Sequence, residues 1–209
     1  MPISYVFNKM IRDEMVKLTK PVKLSLFMGS NIEDNENVRS ILKIYEESSN
    51  ELLSIKEVYD PIISKNYIVN HFPAILFIND EGKEIIRYLA KPLGAEIRPF
   101  IETLTTFSGD KNYYELVIKE NIDKIKPSII KVMITNSCAY CPEIITFVNK
   151  FAIASNGKIK SVIIDIMAHP DINESYDVSS VPLTVINDKK SFIGMVGPAE
   201  VLQELIGGN

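Results

Sequence analysis

The sequence predicts an α/β fold made of two tandem copies of one unit, each a mixed central sheet flanked by helices. Three observations carry this. Helical and strand hydrophobic periods alternate along the whole chain. Lys20-Pro21 and Lys126-Pro127 each close an amphipathic helix and open a strand, because the residue before proline avoids the helical region. The stretch from Phe72-Pro73 to Asn79-Asp80 returns as Val181-Pro182 to Asn187-Asp188: an apolar residue, a proline, a short apolar strand and a turn. A chain of 209 residues has room for one large domain or two smaller ones, and the repeat selects two. The expected boundary is Ser108-Gly109-Asp110, dividing 1–110 from 111–209.

The elements follow in order. Ile3, Phe7, Met10, Ile11, Met15 and Leu18 form a helical stripe over the first eighteen residues. Val22 to Met28 is a strand and Gly29 to Asn35 a polar turn. Val38, Ile41, Leu42 and Tyr45 begin a helix running to about Leu53, and a short strand is expected near Ile55 to Tyr59. Asp60 to His71 carries no clear period. Ala74 to Ile78 and Glu84 to Leu89 are strands joined by the turn Asn79-Asp-Glu-Gly82, and Gly94 to Phe107 is a helix. The second unit repeats the plan: a helical stripe through Tyr114, Val117, Ile118, Ile122 and Ile125, a strand from Ile129 to Thr135, and a helix from Pro142 to Ala154. A strand at Ile159 to Ile166, a short polar helix or turn at Pro170 to Tyr176, strands at Leu183 to Ile186 and Phe192 to Val196, and a helix at Ala199 to Ile206 complete it.

Composition narrows the function. The formal charge is −4, with cations scattered among acids, so no clustered cationic surface for nucleic acid is expected. No apolar run is long enough to cross a bilayer as a helix. The first residues, Met1 to Met10, lack a basic start and an unbroken apolar core, so no signal peptide is expected and the expected location is the cytoplasm. In a reducing compartment, two close cysteines are more often redox-active or metal-binding than structural.

Those two cysteines lie in Cys138-Ala139-Tyr140-Cys141-Pro142, between a strand and a helix. A two-residue gap on a helical turn lets the sulfurs approach bonding distance. Free N–H groups at the helix start favour a thiolate on Cys138. Cys138 is therefore expected to be the exposed attacking sulfur and Cys141 the resolving one. Pro142 suits an early helical position, where a missing N–H costs nothing. Ala139 and Tyr140 add no charge against the thiolate and are candidate substrate contacts. A zinc centre would need further soft ligands. Only His71 and His169 are present, far apart in sequence, so no metal is expected. Val181-Pro182 is either an ordinary strand entrance or a cis bond that offers backbone groups to a bound peptide.

With strand, Cys-x-x-Cys, helix and Val-Pro strand in place, the chain resembles the archaeal and thermophilic protein disulfide oxidoreductases, also called glutaredoxin-like proteins. These have two fused thioredoxin folds. The likeness spans nearly the whole chain and is strongest over Lys131 to Pro142 and Tyr176 to Pro182. It implies that Cys138 is the nucleophile, Cys141 the resolving thiol and Val181-Pro182 a cis-proline substrate-binding element, with Phe72-Pro73 its counterpart in the first unit. It implies disulfide-containing or dithiol proteins as substrates, a thioredoxin-reductase-like flavoprotein as partner, and no cofactor beyond the cysteine pair.

The chain departs from that pattern in one respect: family members typically carry a Cys-x-x-Cys in each unit, and here the first unit has no cysteine. Counting back from the prolines places Gly29 opposite Cys138, whereas counting forward from the Lys-Pro pairs places Ile32 there. Two other classes stay open: a non-catalytic interaction or chaperone module, and a zinc-assisted dimer using one cysteine pair per chain.

Overall fold

The computed structural model describes residues 5–207. Helix α1 (Tyr5–Met15) buries Ile11 and Met15 of the expected stripe, while Phe7, a turn earlier, stays exposed; the chain then passes through Lys20-Pro21 to strand β1 (Val22–Phe27). Ile3 lies outside the described residues. Helix α2 (Ile32–Glu47), strand β2 (Leu53–Val58), helix α3 (Pro61–Asn66), and strands β3 (Ala74–Ile78) and β4 (Glu84–Leu89) follow. A 3-10 turn at Gly94–Glu96 leads into α4 (Ile97–Phe107).

The second half runs α5 (Glu115–Asn121), β5 (Ser128–Ile134), α6 (Cys141–Ala154), β6 (Ile159–Asp165), α7 (Pro170–Tyr176), β7 (Leu183–Ile186), β8 (Lys190–Ile193) and α8 (Pro198–Gly207). Most elements fall where the hydrophobic pattern put them. Helix α2 has the expected length but lies earlier: it starts at Ile32, inside the expected polar turn Gly29 to Asn35, because Asn31 caps it, and it ends at Glu47, before the expected Leu53. Ser48 to Leu52 form a turn in which Asn50 and Glu51 take positive φ and Ser49 Oγ accepts from the Leu53 N–H, so Leu53 begins a strand instead of ending a helix. The segment without a clear period holds α3, started by the Asp60 cap and Pro61. Strand β8 ends earlier than expected, at Ile193, where Gly194 turns the chain with φ +78°.

All eight strands form one sheet in the order β2-β1-β3-β4-β6-β5-β7-β8. Each half has the same local pattern: its first two strands are parallel, and its third and fourth are antiparallel neighbours. The halves join head to tail through parallel pairing of β4 with β6, Ile86 opposite Ser161 through Leu89 opposite Ile164. An edge strand is an open row of donors and acceptors, and this pairing closes one edge of each half.

Both sheet faces are buried in part. One carries α1, α2, α4, α5, α6 and α8 over a core that includes Ile11, Leu24, Phe77, Phe100, Ile130 and Phe151, continuous across both halves. The other carries α3 and α7 over Phe27, Leu76, Met133 and Val185. Within the first core lies a buried polar knot. Asn149 of α6 donates to Tyr88 OH at 2.7 Å and to Thr103 Oγ1 at 2.8 Å, and accepts from Ser161 Oγ at 2.6 Å. Burying an amide is favourable only when its groups are satisfied, so this knot sets the orientation of α6 against β4 and α4 of the first half.

Candidate functional site

Strand β5 delivers the chain to the loop Thr135 to Tyr140, and α6 leaves it. The Cys138 N–H donates to Thr135 O at 3.0 Å, which folds the loop back on the strand end. The helix begins at Cys141 with Pro142 in its first turn. The Tyr140 side chain does not cap this helix. The Cys141 N–H instead donates to Cys138 Sγ at 3.1 Å. A free helix N–H aimed at sulfur is the arrangement that favours a thiolate over a thiol once the pair is reduced. The two sulfurs are bonded at 2.08 Å, with the Cα atoms 5.5 Å apart.

Burial separates the two cysteines less than the sequence suggests. Cys141 is fully buried, and Cys138 is only 8 % exposed, not the open sulfur expected from its loop. The cause is packing: Cys138 joins the main core alongside Cys141, Ile134 and Ile144. Its loop neighbours Ser137 and Ala139 are exposed, and Tyr140 is 65 % exposed. The sulfur thus sits at the floor of a surface rim.

Val181-Pro182 and Phe72-Pro73 are both cis. They precede β7 and β3, which run antiparallel to the strands beside them, so both corners lie at the same end of the sheet as the Cys138 loop. Val181 packs between the two cores, and Pro182 O accepts from the Gly194 N–H at 2.8 Å.

The first half is closed at the corresponding place. Aligning the helix starts sets Ile32 against Cys141 and Gly29 against Cys138, so the register counted from the prolines holds. The register counted from the Lys-Pro pairs fails because the first strand and its loop are together shorter. A Cβ on Gly29 would fall 2.5 Å from Phe72 Cβ, so no side chain fits there without movement. Asn35, buried, holds the glycine from both sides: its Oδ1 accepts from the Gly29 N–H at 3.0 Å and its Nδ2 donates to Gly29 O at 2.8 Å.

Glu96 is a group the sequence reading missed. It lies in the 3-10 turn of the first half, fully buried, and neither carboxylate oxygen has a hydrogen-bond partner among the described residues. The Ala95 N–H donates to Asn136 O at 3.3 Å, which places this turn against the loop carrying Cys138. Burial, and then the nearby Asp165 carboxylate, push the Glu96 carboxyl up to about 8. A signal existed: Glu96 falls one residue before the apolar stripe Ile97, Phe100, Ile101 and Leu104, on the helix's inward side.

The two histidines, distant in sequence, meet across the seam with ring centroids 5.5 Å apart, and His71 Nε2 lies 2.8 Å from Asp171 Oδ2. Burial and the neighbouring His71 lower the pKa of His169. Among the described residues no cluster of three or more His, Cys, Asp or Glu side chains could hold a metal ion.

Known proteins place this geometry. A family model described as a thioredoxin domain matches residues 129–207. A domain of the alkylhydroperoxide reductase AhpF from Enterococcus faecalis superposes with a TM-score of 0.86 at 17 % identity, covering 98 % of this chain and 100 % of that one. A protein disulfide oxidoreductase from Aeropyrum pernix superposes at 0.85 with 25 % identity, covering 98 % and 93 %. A curated relative named NADH dehydrogenase, from Ferdinandcohnia aciditolerans, is 27 % identical over 133 residues, 63 % of this chain. The chain's match spans about a quarter of that relative's length. The fold is therefore two tandem thioredoxin-type halves, and its cysteine pair stands at disulfide distance where a helix begins.

Proposed function

We propose that this chain is a protein disulfide oxidoreductase, close in kind to the glutaredoxin-like tandem proteins, exchanging thiols and disulfides through the single pair Cys138/Cys141. The observation that carries the reading is the Cys141 N–H donating to Cys138 Sγ at the start of α6, with the second sulfur in bonding contact.

In the reducing direction, the Cys138 thiolate attacks one sulfur of a substrate disulfide, and the other substrate sulfur leaves as a thiolate. Cys141, deprotonated, then attacks Cys138 Sγ. The internal disulfide forms, the second substrate sulfur departs, and two electrons have passed to the substrate. The oxidising direction is the reverse. Val181-Pro182 would align the substrate backbone, and Ala139 and Tyr140 would contact it.

Units 1–110 and 111–209 would then divide the work, only the second performing chemistry. Electrons would come from a flavoprotein of the thioredoxin-reductase kind. The match to part of a relative named NADH dehydrogenase supports a pyridine-nucleotide source. A cytoplasmic location fits a pair that must cycle.

The test is trapping. Cys141→Ser should accumulate mixed disulfides through Cys138, read by mass spectrometry, while Cys138→Ser should trap none. A wild-type protein that reduces no disulfide, with a Cys138 that alkylates no faster than an ordinary thiol, would reject the reading.

A further inference from the structure

At the end of the sheet shared by the Cys138 loop and both proline corners, a cleft of about 410 Å³ opens between the halves. Phe72 and Pro73 of the first half form one wall, Asn136 and Met167 of the second half the other, and Lys91 lies at its edge. Its position follows from strand order. It sits over the carboxyl ends of the paired central strands β4 and β6, between β3 on one side and β5 on the other. Open α/β sheets commonly take their ligands at that end.

Three features suit it to polypeptide. First, among the described residues neither the N–H nor the carbonyl of Phe72 has a backbone partner, and the same is true of Val181 beside the dithiol. Each corner therefore offers a free donor and acceptor to an extended strand. Second, the lining mixes apolar Phe72, Leu89 and Met167 with polar Asn136, Asp165 and His169, and carries the ion pair Lys91 Nζ to Asp34 Oδ1 at 3.4 Å. Met167 is 76 % exposed, and a flexible thioether accommodates many sequences. Third, the cleft borders the loop that carries the dithiol, since Asn136 in its lining lies two positions before Cys138.

Distances agree. From β5 to β3 there are three inter-strand steps. At about 4.8 Å per step this is roughly 14 Å, which an extended chain crosses in about four to five residues.

We propose that this cleft is a second, non-covalent subsite for the substrate. It holds an extended segment of the same polypeptide whose cysteine is joined to Cys138, and the free edge of Phe72 pairs with that segment's backbone. The proposal rests on the dithiol reading and adds what the first half contributes to it. That half has lost the sulfur position and kept the backbone edge, so it acts as a strand-binding shelf about four to five residues from the reactive sulfur.

The experiment compares disulfide-linked peptides of eight and three residues, with cysteine at the first or the last position, in turnover with dithiothreitol as reductant. The wild-type protein should favour one of the eight-residue peptides. Met167→Asp should lower the long-to-short ratio of kcat/KM about tenfold, the scale expected on losing one apolar contact that the peptide covers on binding. Lys91→Glu gives a second, independent variant, and circular dichroism checks that both fold. In parallel, serine-for-cysteine versions of the eight-residue peptides, added to the oxidised protein, should move the amide signals of Phe72, Lys91, Asn136 and Met167 together. No preference for length, or shifts confined to 138–141 and 181, would overturn the subsite. A protein that reduces neither peptide yet shows the cleft shifts would retain the subsite and reject the dithiol reading, so the two failures are distinct.

Discussion

The two halves start their central helix by different means. In the first, α2 is capped by Asn31, whose Oδ1 accepts from the Asp34 N–H at 3.2 Å. In the second, α6 has no such side chain, and the Cys141 N–H is directed at Cys138 Sγ. The same backbone requirement, a partner for free helix N–H groups, is met by an inert amide in one half and by a sulfur in the other. A reactive atom here occupies a place that any fold of this kind must fill. In the first half that place is filled by another cap, Asn31.

The largest expected effect breaks the comparison outright. Replacing Cys138 by serine should reduce disulfide exchange to background, because the sulfur proposed to attack is gone, and an insulin-reduction assay reads this directly. No substitution in the Gly29 to Asn35 loop should approach that loss.

A smaller effect sharpens it by asking how the first half serves the second. The Glu96 carboxyl titrates near 8 in the fold and near 4.3 in an unfolded chain. The folded state holds this proton more tightly. Its contribution to stability is fully present below the unfolded value and is lost as pH rises through about 8. Urea titrations at pH 5 and pH 9 should show wild-type stability falling by on the order of a few kcal/mol more than in Glu96→Gln. Equal falls would remove the buried carboxyl from the account.

Next in size is Gly29→Ala. Its Cβ would meet Phe72 Cβ at 2.5 Å, so overpacking should cost about 1–3 kcal/mol and lower Tm by several degrees. Phe72→Ala in the same chain should not restore it, since the clash is with the Cβ that alanine keeps. Smallest is Asn31→Ala, which removes a cap and should cost about 1 kcal/mol in thermal denaturation, with disulfide exchange unaffected.

How far these features are legible in the sequence follows from their range. Cys138 to Pro142 can be read directly because helix capping is a local matter, decided within one turn. The repeat of Phe72-Pro73 and Val181-Pro182 is legible because strand period and turn chemistry are local too. Glu96 is harder to read: an acid near an apolar stripe gains meaning only when its turn packs against Asn136 and the charge of Asp165 comes near. The histidines illustrate the same point. Their distance in sequence argued against a shared site, yet His169, just before α7, meets His71 with ring centroids 5.5 Å apart.

Sequence alone determined the two-unit plan, the α/β class and the position of the sulfur pair, since period, proline and capping act over a few residues. Tertiary structure decided that β4 pairs with β6, that Phe72 occupies the space beside Gly29, and that the turn holding a buried carboxyl in one half lies against the loop of the other. Those outcomes depend on which edges close and which volumes fill. Both are settled by contacts between residues far apart along the chain, where local propensity carries no information.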